Sequence, residues 1–580
     1  MTVELRKLRD LLTPGERRAA LGVLALMLMG TLLETLCTGL VIPAIALLMP
    51  QEVGYPWLRR AIDALGNPDP ATLVLAVVLA LVAVYLVKNL LLGYVAWRQL
   101  RFAYGVQARM SLQLFALYLR QPYAFHLQRN SAQLARNAIS EVGAFCDALI
   151  RALGIATEFL AVLAIATLLL LVEPLGTLIS ALLLGSAAAI LYRSTRARVS
   201  RWGKMHQLHE RLRAHHALQA LGGAKEVKLL GRESDFLAQY RRHTGQSLGA
   251  AQAQATLPLF SRLALEFLAV AGIALLAITM LAQGRPLATI APTLGLFAVA
   301  AFRLLPAVDR ILQATQGLRF RAPVMEALHA DLSLPVPAQP VRERLDFQAE
   351  ISLNDVMFTY PERPAPAIAG VTVRVRKGEC VGLVGPSGSG KSTLIDVLMG
   401  LLEPQTGTVT VDGRDIRANL RGWQDRLGYV PQTLYLTDDT LRRNVAFGIP
   451  DAEVDDEKVW RALRDAQLDE FVAGLPEGLN TAVGERGVRL SGGQRQRIGI
   501  ARALYHEPAV LVLDEATSAL DTATEAGVMR TVMRLKGERT VLIVAHRLST
   551  IAGCDRVYRL ENGRVAEASS GAPRAAAASD

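Results

Sequence analysis

One loop decides the fold of this 580-residue chain: Gly385-Pro-Ser-Gly-Ser-Gly390-Lys391-Ser392-Thr393. It follows Cys380-Val-Gly-Leu-Val384, which is typical of a short buried strand, and precedes a helix-forming run over residues 392–402. In this order, glycine backbone N–H groups approach phosphates closely, Lys391 reaches the β- and γ-phosphates, and the Ser392 hydroxyl ligates magnesium. The predicted nucleotide-binding residues of the loop are Gly385, Pro386, Ser387, Gly388, Ser389, Gly390, Lys391, Ser392 and Thr393.

A second stretch, Val510-Leu-Val-Leu-Asp514-Glu515, supplies acids that the loop lacks. An apolar strand that ends in an acid would hold Asp514 at a magnesium ion, and Glu515 beside it would polarise the attacking water. An acid after a strand can also simply cap a helix. The phosphate loop in the same chain favours the catalytic interpretation.

The first half of the chain has a different composition, with long runs rich in Leu and Ala. Each run, with its flanks, is long enough to cross a bilayer as a helix. A buried core helix is the alternative for any one of them, but so many within some 300 residues cannot all lie inside one soluble domain. The six predicted spans are residues 19–33, 71–87, 159–172, 175–192, 267–283 and 287–302.

The net charge of +11 is interpreted through the positive-inside bias of membrane proteins and not as a nucleic-acid surface. Residues 98–149 hold six Arg against two acids, and residues 193–255 hold twelve Lys and Arg against four acids. Residues 51–70 hold two Arg and three acids. The first two connections are therefore predicted to be cytoplasmic, which also places the N-terminus and everything after residue 302 in the cytosol.

Composition and proline content along the sequence predict the domain limits. We predict a transmembrane domain over 1–330, a proline-marked linker over 331–346, a nucleotide-binding domain over 347–565 and a disordered Ala- and Ser-rich tail over 566–580.

The four cysteines, Cys37, Cys146, Cys380 and Cys554, have no metal-like spacing, so no disulfide or zinc site is expected. The N-terminal apolar run carries no cleavage signal and is interpreted as a retained anchor.

Three segments are candidates for accessory roles. Residues 121–131 and 222–233 interrupt helical patterns with Pro, Gly and capping residues, which suggests contact elements for the second domain or plain helix corners. Trp57-Leu-Arg-Arg-Ala-Ile-Asp-Ala-Leu65 is amphipathic and fits a helix in the outer membrane interface. It would guide a lipid tail or serve as a connector with a Trp anchor.

From about Phe347 to Val565 the chain resembles the nucleotide-binding domain of an ABC transporter, which implies ATP and Mg²⁺ as ligands. Gln432, after Tyr429-Val-Pro, matches the loop that contacts magnesium and senses the membrane domain, and His546 matches the switch histidine at the γ-phosphate. Tyr360 matches the aromatic residue that stacks on adenine. The resemblance implies catalytic roles for Glu515, His546 and Gln432, and metal ligation by Ser392, Gln432 and Asp514.

Two further motifs match parts of this family that act across a dimer. Leu490-Ser491-Gly492-Gly493-Gln494 resembles the signature loop, which closes over the γ-phosphate bound to the opposite subunit. Ser518-Ala-Leu-Asp521 resembles the loop that crosses the interface. Six spans followed by one such domain form half a transporter, so a homodimer with two ATP sites is expected. ATP would close the dimer and hydrolysis reopen it, alternating the access of the membrane halves.

Three cations, Lys88, Arg262 and Arg303, lie in or beside the apolar helices. An uncompensated charge there costs roughly 2.5 to 3.5 kcal/mol on insertion scales. Counted from the outer ends of their helices, all three lie on the order of 24 to 32 Å deep. They are predicted to form one positive ring for a pyrophosphate head group. The alternative is that each snorkels to head groups or pairs with an acid such as Glu266.

The motifs Leu33-Glu-Thr-Leu-Cys-Thr-Gly-Leu-Val-Ile-Pro43, Gln121-Pro-Tyr and Phe302-Arg-Leu-Leu-Pro-Ala-Val-Asp-Arg310 resemble those of bacterial flippases of lipid-linked oligosaccharides. This resemblance implies a bacterial inner-membrane protein that moves a lipid-linked glycan through surrounding membrane lipid, with no nucleic-acid partner. A multidrug, lipid or peptide exporter of the same architecture is the main alternative. A soluble ABC-type ATPase acting on nucleic acid is a second alternative, which the apolar spans argue against.

Overall fold

The chain forms two compact units in this computed structural model: Met1–Gln121 with Arg129–Val336, and Pro122–Gln128 with Pro337–Asp580. The structure describes residues 2–47, 70–172, 174–284, 287–361, 363–517, 520–545 and 548–570. The predicted outer-interface helix at residues 57–65 lies outside these described residues. The four cysteines are buried and free.

The first unit is all helical in its described residues, because its Leu- and Ala-rich runs satisfy backbone hydrogen bonds internally. A π-helical turn, Asn137–Glu141, joins α5 to α6. The helices are α1 Thr2–Asp10, α2 Pro14–Leu47, α3 Pro70–Arg120, α5 Ser131–Arg136, α6 Val142–Val172, α7 Pro174–Gly222, α8 Ala224–Leu230, α9 Glu233–Ala282, α10 Leu287–Phe320 and α11 Ala322–Leu332.

The six predicted apolar runs lie in α2, α3, α6, α7, α9 and α10. Among the described residues, three helical segments meet the length and composition needed to cross a membrane: Val78–Arg120, Ser131–Thr167 and Glu233–Ala282. The number of spans therefore stays a prediction. α9 has 50 residues, and a helix of that size is about 75 Å long against a hydrocarbon core of about 30 Å. Such helices extend well beyond a bilayer, as the long basic connections predicted.

A buried carboxylate joins α3, α11 and the π-helical turn of the first unit. Asp331 of α11 is 5% exposed. Its carboxylate accepts hydrogen bonds from the Tyr118 hydroxyl at 2.6 Å, the Asn137 side-chain amide at 2.8 Å and the Arg129 guanidinium at 3.1 Å. These bonds satisfy an acid that would otherwise be costly to bury. Helix α11 ends at Leu332, two residues past the predicted domain limit of 330.

Helix α4, Tyr123–Gln128, groups with the second unit although the chain on both sides of it belongs to the first. Within the second unit, Ala124 packs against the buried cluster built around the β1 and β2 strands. Residues 121–131 thus contain a helix that belongs to the second unit, and their role as a contact element between the domains stays a prediction. The other candidate contains α8, which has no buried residue, so its role stays a prediction.

Two sheets organise the second unit. One has strand order β2-β1-β4-β5 and the other β10-β9-β3-β8-β7-β6. In the larger sheet, β9, β3, β8, β7 and β6 are parallel, and β10 is antiparallel to β9. The strands are β1 Glu350–Phe358, β2 Ile368–Arg376, β3 Cys380–Val384, β4 Thr406–Val411, β5 Arg414–Asp415, β6 Leu427–Val430, β7 Val510–Asp514, β8 Thr540–Val544, β9 Arg556–Glu561 and β10 Arg564–Ser570.

The helices of this unit pack around the sheets through apolar faces. They are, in addition to α4, α12 Lys391–Leu398, α13 Leu420–Gln424, α14 Leu441–Val445, α15 Asp456–Asp465, α16 Asp469–Ala473, α17 Gly492–Tyr505 and α18 Thr522–Arg534. The predicted helix over 392–402 ends four residues early, because Gly400 adopts a left-handed φ of +69° and the Leu401 and Leu402 N–H groups turn back to the Asp396 carbonyl.

The predicted domain limit at residue 565 is corrected by β10. This strand continues to Ser570, because Glu567 to Ser570 remain in register with Arg559 to Arg556 of β9. The backbone pairing of an edge strand does not require an apolar sequence, so the Ala- and Ser-rich composition was misleading. Residues 571–580 lie outside the described residues.

Candidate nucleotide site

The predicted catalytic segments meet at one edge of the larger sheet. Parallel strands β3, β6, β7 and β8 bring their carboxyl ends to that edge, and the phosphate loop follows β3 while Asp514 ends β7. Gln432 lies two residues after β6. Ligands of open parallel sheets bind at this edge, so chain segments 130 residues apart contribute to one site.

The phosphate loop is held so tightly that glycine is required at two positions. A Cβ on Gly385 would lie 2.2 Å from the Leu560 carbonyl oxygen, and one on Gly390 would lie 2.5 Å from that of Ala367. Gly390 also has a left-handed φ of +101°, and α12 begins at the next residue. The bare backbone can thus approach a phosphate directly at the positive end of a helix.

Lys391 lies inside this loop and is only 6% exposed. Its Nζ donates to the carbonyl oxygens of Gly385 at 2.8 Å and Pro386 at 3.0 Å. Burial lowers the pKa of the ammonium group, and the nearby carboxylates of Glu515 and Asp514 oppose that shift. The lysine is therefore a positioned cation in a site that already contains negative charge.

Asp514 has the environment of a magnesium ligand. The hydroxyl groups of Ser392 and Tyr429 donate to its carboxylate, yet burial dominates and raises the pKa. Its Oδ1 is buried and has no hydrogen-bond partner. A buried carboxylate oxygen beside a serine hydroxyl is a hard oxygen donor set of the kind that Mg²⁺ prefers. The residues present therefore fit this ion.

Glu515 and Gln432 form a pair next to Asp514. The Gln432 Nε2 donates to the Glu515 Oε2 at 2.6 Å. Glu515 has φ +50°, which is unusual for a residue other than glycine, and its N–H donates to the Val544 carbonyl at 3.0 Å. This conformation turns the Glu515 side chain out of the strand direction into the cavity, where a water molecule can be held for attack.

Lys391, Ser392, Gln432 and Glu515 line one cavity of about 930 Å³. Its lining includes the predicted residues Tyr360, Ser387, Gly388, Gly390, Lys391, Ser392, Thr393, Gln432 and Glu515. The Tyr360 hydroxyl lies 3.2 Å from the Thr393 Oγ1. Sequence reasoning missed Arg363, Asn562 and Gly563, which also line it. The Asn562-Gly563 dipeptide is a turn signal between β9 and β10 that could have indicated a loop near the site.

Several predicted residues do not line this cavity. Ser491 begins α17 with a capping box: its Oγ accepts from the Gln494 N–H at 3.2 Å, and its own N–H donates to the Gln494 Oε1 at 2.8 Å. Gly492 and Gly493 form the first turn of that helix. Asp521 caps α18, and hydrogen bonds from Thr524 lower the pKa of its carboxyl. His546 and Ser518 lie outside the described residues.

The ring of three membrane cations stays a prediction, and the described residues show the surroundings of two of its members. The Arg262 Nε donates to the Glu266 Oε1 at 2.8 Å, which matches the alternative of local pairing. Lys88 lies 4.4 Å from the centre of the Tyr85 ring. Arg262 also interacts electrostatically with Asp309, six residues or about 9 Å along α10 from Arg303. The side chain of Arg303 lies outside the described part of the chain.

Comparison with known proteins identifies the class of protein to which this chain belongs. Residues 368–518 match the family described as ABC transporter, and residues 35–298 match the ABC transporter transmembrane region. The chain is similar to a solved structure titled "Structure of a bacterial Atm1-family ABC exporter with ATP bound", with a TM-score of 0.77, 26% identity, and coverage of 96% of this chain and 95% of that one. The chain has this exporter fold, a transmembrane domain followed by a nucleotide-binding domain.

Two relatives of known name show the family to which the chain belongs. An "ATP-dependent lipid A-core flippase" of Cupriavidus pinatubonensis is 34% identical over 80% of this chain and 79% of its own length. A protein of the same name from Cupriavidus metallidurans is 34% identical over 84% of this chain and 82% of its own. The chain therefore belongs to the ABC transporter family, as an ATP-hydrolysing exporter. It is a multi-pass protein of a bacterial inner membrane.

Proposed function

We propose that this protein flips a lipid-linked glycan, with a pyrophosphate-linked oligosaccharide as the preferred substrate, from the cytoplasmic to the outer leaflet. The observation that carries the proposal is its extended similarity to relatives named as flippases of lipid A-core, an amphiphile with a glycan part. The motifs at Leu33 to Pro43 and Phe302 to Arg310 favour the oligosaccharide over lipid A-core. A general multidrug or peptide exporter is the alternative.

We further propose that two copies of the chain share each ATP site and that each copy crosses the membrane six times. Ser491 and Gln494 are occupied with capping their own helix and do not line their own chain's cavity. A second copy would present that helix N-terminus to the γ-phosphate. A fully assembled site then forms only when the two nucleotide-binding units meet.

Within that site each side chain has a distinct task. Lys391 neutralises charge on the β- and γ-phosphates, and Glu515, oriented by Gln432, accepts the proton of the attacking water. Ser392 and Asp514 would hold Mg²⁺, which offsets phosphate charge when bound. His546 would contact the γ-phosphate, and Tyr360 would stack on adenine. The positions described above support the roles of Lys391, Ser392, Gln432, Asp514 and Glu515, and those of His546 and Tyr360 rest on the family resemblance.

The experiment is a flipping assay in proteoliposomes with a fluorescent polyprenyl pyrophosphate oligosaccharide, run in parallel with lipid A-core and with a cationic amphiphile. We expect ATP-dependent movement of the oligosaccharide lipid and none in the Glu515→Gln variant. Movement of lipid A-core alone, or of the cationic amphiphile alone, would refute the proposed substrate while leaving the ATPase intact.

The pyrophosphate preference is tested separately at the three cations. Neutralising Lys88, Arg262 and Arg303 together is expected to slow flipping about tenfold with little change in basal ATPase, because none of them lines the nucleotide cavity. Neutralising Arg241 and Arg242 of α9 is the matched control, since both are exposed cations outside the apolar runs. Unchanged flipping in the triple variant would remove these residues from the proposal.

A further inference from the structure

Glu525 is a buried acid of the second unit that does not line the nucleotide cavity. It lies in the first turn of α18, on the face that also carries Val528, Met529 and Val532, and all four side chains are buried. Offsets of three, four and seven residues mark one side of a helix, and here that side faces the apolar core. A carboxylate at such a position needs polar partners, because burying it without them is costly.

The partners of Glu525 come from two different loops. Its Oε1 accepts a hydrogen bond from the Thr517 hydroxyl at 3.0 Å and another from the Thr550 hydroxyl at 2.8 Å. Both threonines are buried as well. Two segments that are distant in the chain therefore converge on one carboxylate oxygen of α18.

Each threonine follows a strand that ends at the nucleotide site. Thr517 lies two residues after Glu515, beyond the end of β7. Thr550 lies four residues after His546, beyond the end of β8. These two strands are neighbours in the sheet. Glu525 thus joins the segment that carries the catalytic acid to the segment that carries the predicted switch histidine.

The same two segments are also fixed at the sheet. The Glu515 N–H donates to the Val544 carbonyl of β8 at 3.0 Å. Ile551, next to the second threonine, is fully buried and packs over Gly382 of β3, where an added Cβ would lie 3.0 Å from its Cγ2. The segment after β8 is therefore anchored on β3. The left-handed conformation of Glu515 is one that persists only where the surroundings hold it, and the bonds to Glu525 add to that hold.

An apolar side chain would fill the space of Glu525 without burying a carboxyl group. Replacement of a buried ionic network by apolar groups of similar volume is often neutral or stabilising, so stability alone gives no reason for an acid here. An apolar side chain cannot bind two hydroxyl groups and hold two loops at a fixed distance. Because Thr517, Glu525 and Thr550 are all absent from the lining of the nucleotide cavity, their effect on the reaction is indirect.

We infer that Glu525 is a positioning residue for ATP hydrolysis, which holds the segments of Glu515 and His546 in fixed positions relative to each other. It acts through the hydroxyl groups of Thr517 and Thr550. This role goes beyond the proposed substrate, because it concerns hydrolysis whichever lipid is moved, and it rests on the proposed contact of His546 with the γ-phosphate. Loss of the two bonds should lower the rate of hydrolysis and leave ATP binding nearly unchanged.

The test replaces the network in the full-length protein by apolar groups of similar shape, with Thr517→Val, Glu525→Leu and Thr550→Val combined. We expect a thermal midpoint close to that of the parent, a kcat for ATP about tenfold lower and a KM within about twofold. Replacing both threonines by serine keeps the hydroxyl groups and should retain at least half of the parental kcat. Thr531→Val is the matched control, since the Thr531 hydroxyl donates to the Gly527 carbonyl within α18 itself.

The single variant Thr550→Val removes one bond only, and it decides the question if the triple variant does not fold. We expect its kcat to fall about threefold at an unchanged KM, and a parental kcat would contradict the positioning role. The same holds for a fall in kcat of the triple variant that is matched by a rise in KM, or for a serine variant as impaired as the triple one.

His546→Ala is measured in parallel, as basal ATPase activity without any glycan lipid. If the triple variant keeps the parental kcat while His546→Ala is inactive, the positioning role is wrong and the γ-phosphate contact stands. If His546→Ala keeps the parental kcat, that contact fails and the positioning role fails with it. The flipping proposal is tested separately, by its own lipid substrates, so its failure is distinguishable from either result.

Discussion

At the scale of single residues, the site depends on groups placed where isolated amino acids would not favour them. Glu515 has a left-handed φ, Asp514 has a buried oxygen without a partner, and Lys391 is a buried ammonium group. Each arrangement costs folding free energy by itself. They persist because the surrounding sheet determines the backbone, and the result is a site prepared for phosphate and metal.

The first residue-scale prediction concerns Glu515→Gln. The amide keeps the shape of the side chain and leaves Lys391 and the loop intact, but it cannot accept a proton from water. We expect ATP binding to remain and phosphate release to fall roughly 10²- to 10⁴-fold, the usual contribution of a general base. Release of phosphate and binding of a labelled nucleotide are measured together. Glu470→Gln, at an exposed acid of α16, is the control, and normal phosphate release by Glu515→Gln would contradict the assignment.

The second residue-scale prediction concerns Asp396 of α12. Burial, and then the charge of Asp514, raise the pKa of the Asp396 carboxyl from an ordinary value of 3.8 to about 6. The folded protein therefore holds a proton that the unfolded chain releases between these values. Its free energy of unfolding falls as pH rises through about 4 to 6, and the penalty is complete above that window.

Asp396→Asn removes this penalty, so we expect a higher thermal midpoint at pH 8. The gain is on the order of 1 kcal/mol after allowance for the partial exposure of the group. The gain should shrink as pH falls from 6 towards 5. Thermal unfolding of the full-length protein in detergent, followed across this range, measures it. Asp438→Asn at an exposed acid is the control, and an equal gain at every pH would contradict the linkage.

At the scale of elements, strand–loop–helix units build the site. The loop from β3 to α12 is held between the Leu560 and Ala367 carbonyls, and the capping box of α17 fixes the start of the signature helix. Loss of such a cap costs about 1 kcal/mol. In the phosphate loop, Gly385 and Gly390 are required by the close approach of those two carbonyl groups.

The element-scale prediction is Gly390→Ala. The added Cβ would clash with the Ala367 carbonyl at 2.5 Å, and the left-handed φ adds strain, together of order 1 to 3 kcal/mol. We expect weaker ATP binding and a lower thermal midpoint. Gly474→Ala is the control, because a Cβ there makes only ordinary contacts at 3.5 Å. Unchanged nucleotide affinity in Gly390→Ala would mean that the loop does not approach the phosphates as described.

At the scale of the whole molecule, one chain holds half of each proposed ATP site. Ser491→Arg leaves the chain's own cavity lining untouched, so a chain that hydrolysed ATP alone would keep its activity. In a dimer with shared sites, the same change should abolish most ATPase activity because it damages both sites.

Mixing two different variant proteins and measuring their ATPase activity provides the complementary test. A hybrid of Ser491→Arg and Lys391→Ala protomers has both lesions in one site and an intact second site. If the sites act independently, an equal mixture should recover about a quarter of parental ATPase activity, since half of the dimers are hybrids. Full activity of either single-variant homodimer would contradict the shared-site arrangement. Parent mixed with the Arg241→Ala variant, changed at an exposed cation of α9, is the control for the mixing procedure.

The sequence alone determined the chemistry that is local in the chain. The phosphate loop, Asp514 with Glu515 and the signature glycines are contiguous motifs whose backbone conformation follows from glycine, strand and cap residues. Apolar runs likewise indicated membrane helices. Only the tertiary structure decided how distant segments meet: Gln432 beside Glu515, Asn562 in the nucleotide cavity, and β10 extended to Ser570 along β9. Such contacts depend on strand order and helix packing, which join residues far apart in sequence and leave no local pattern.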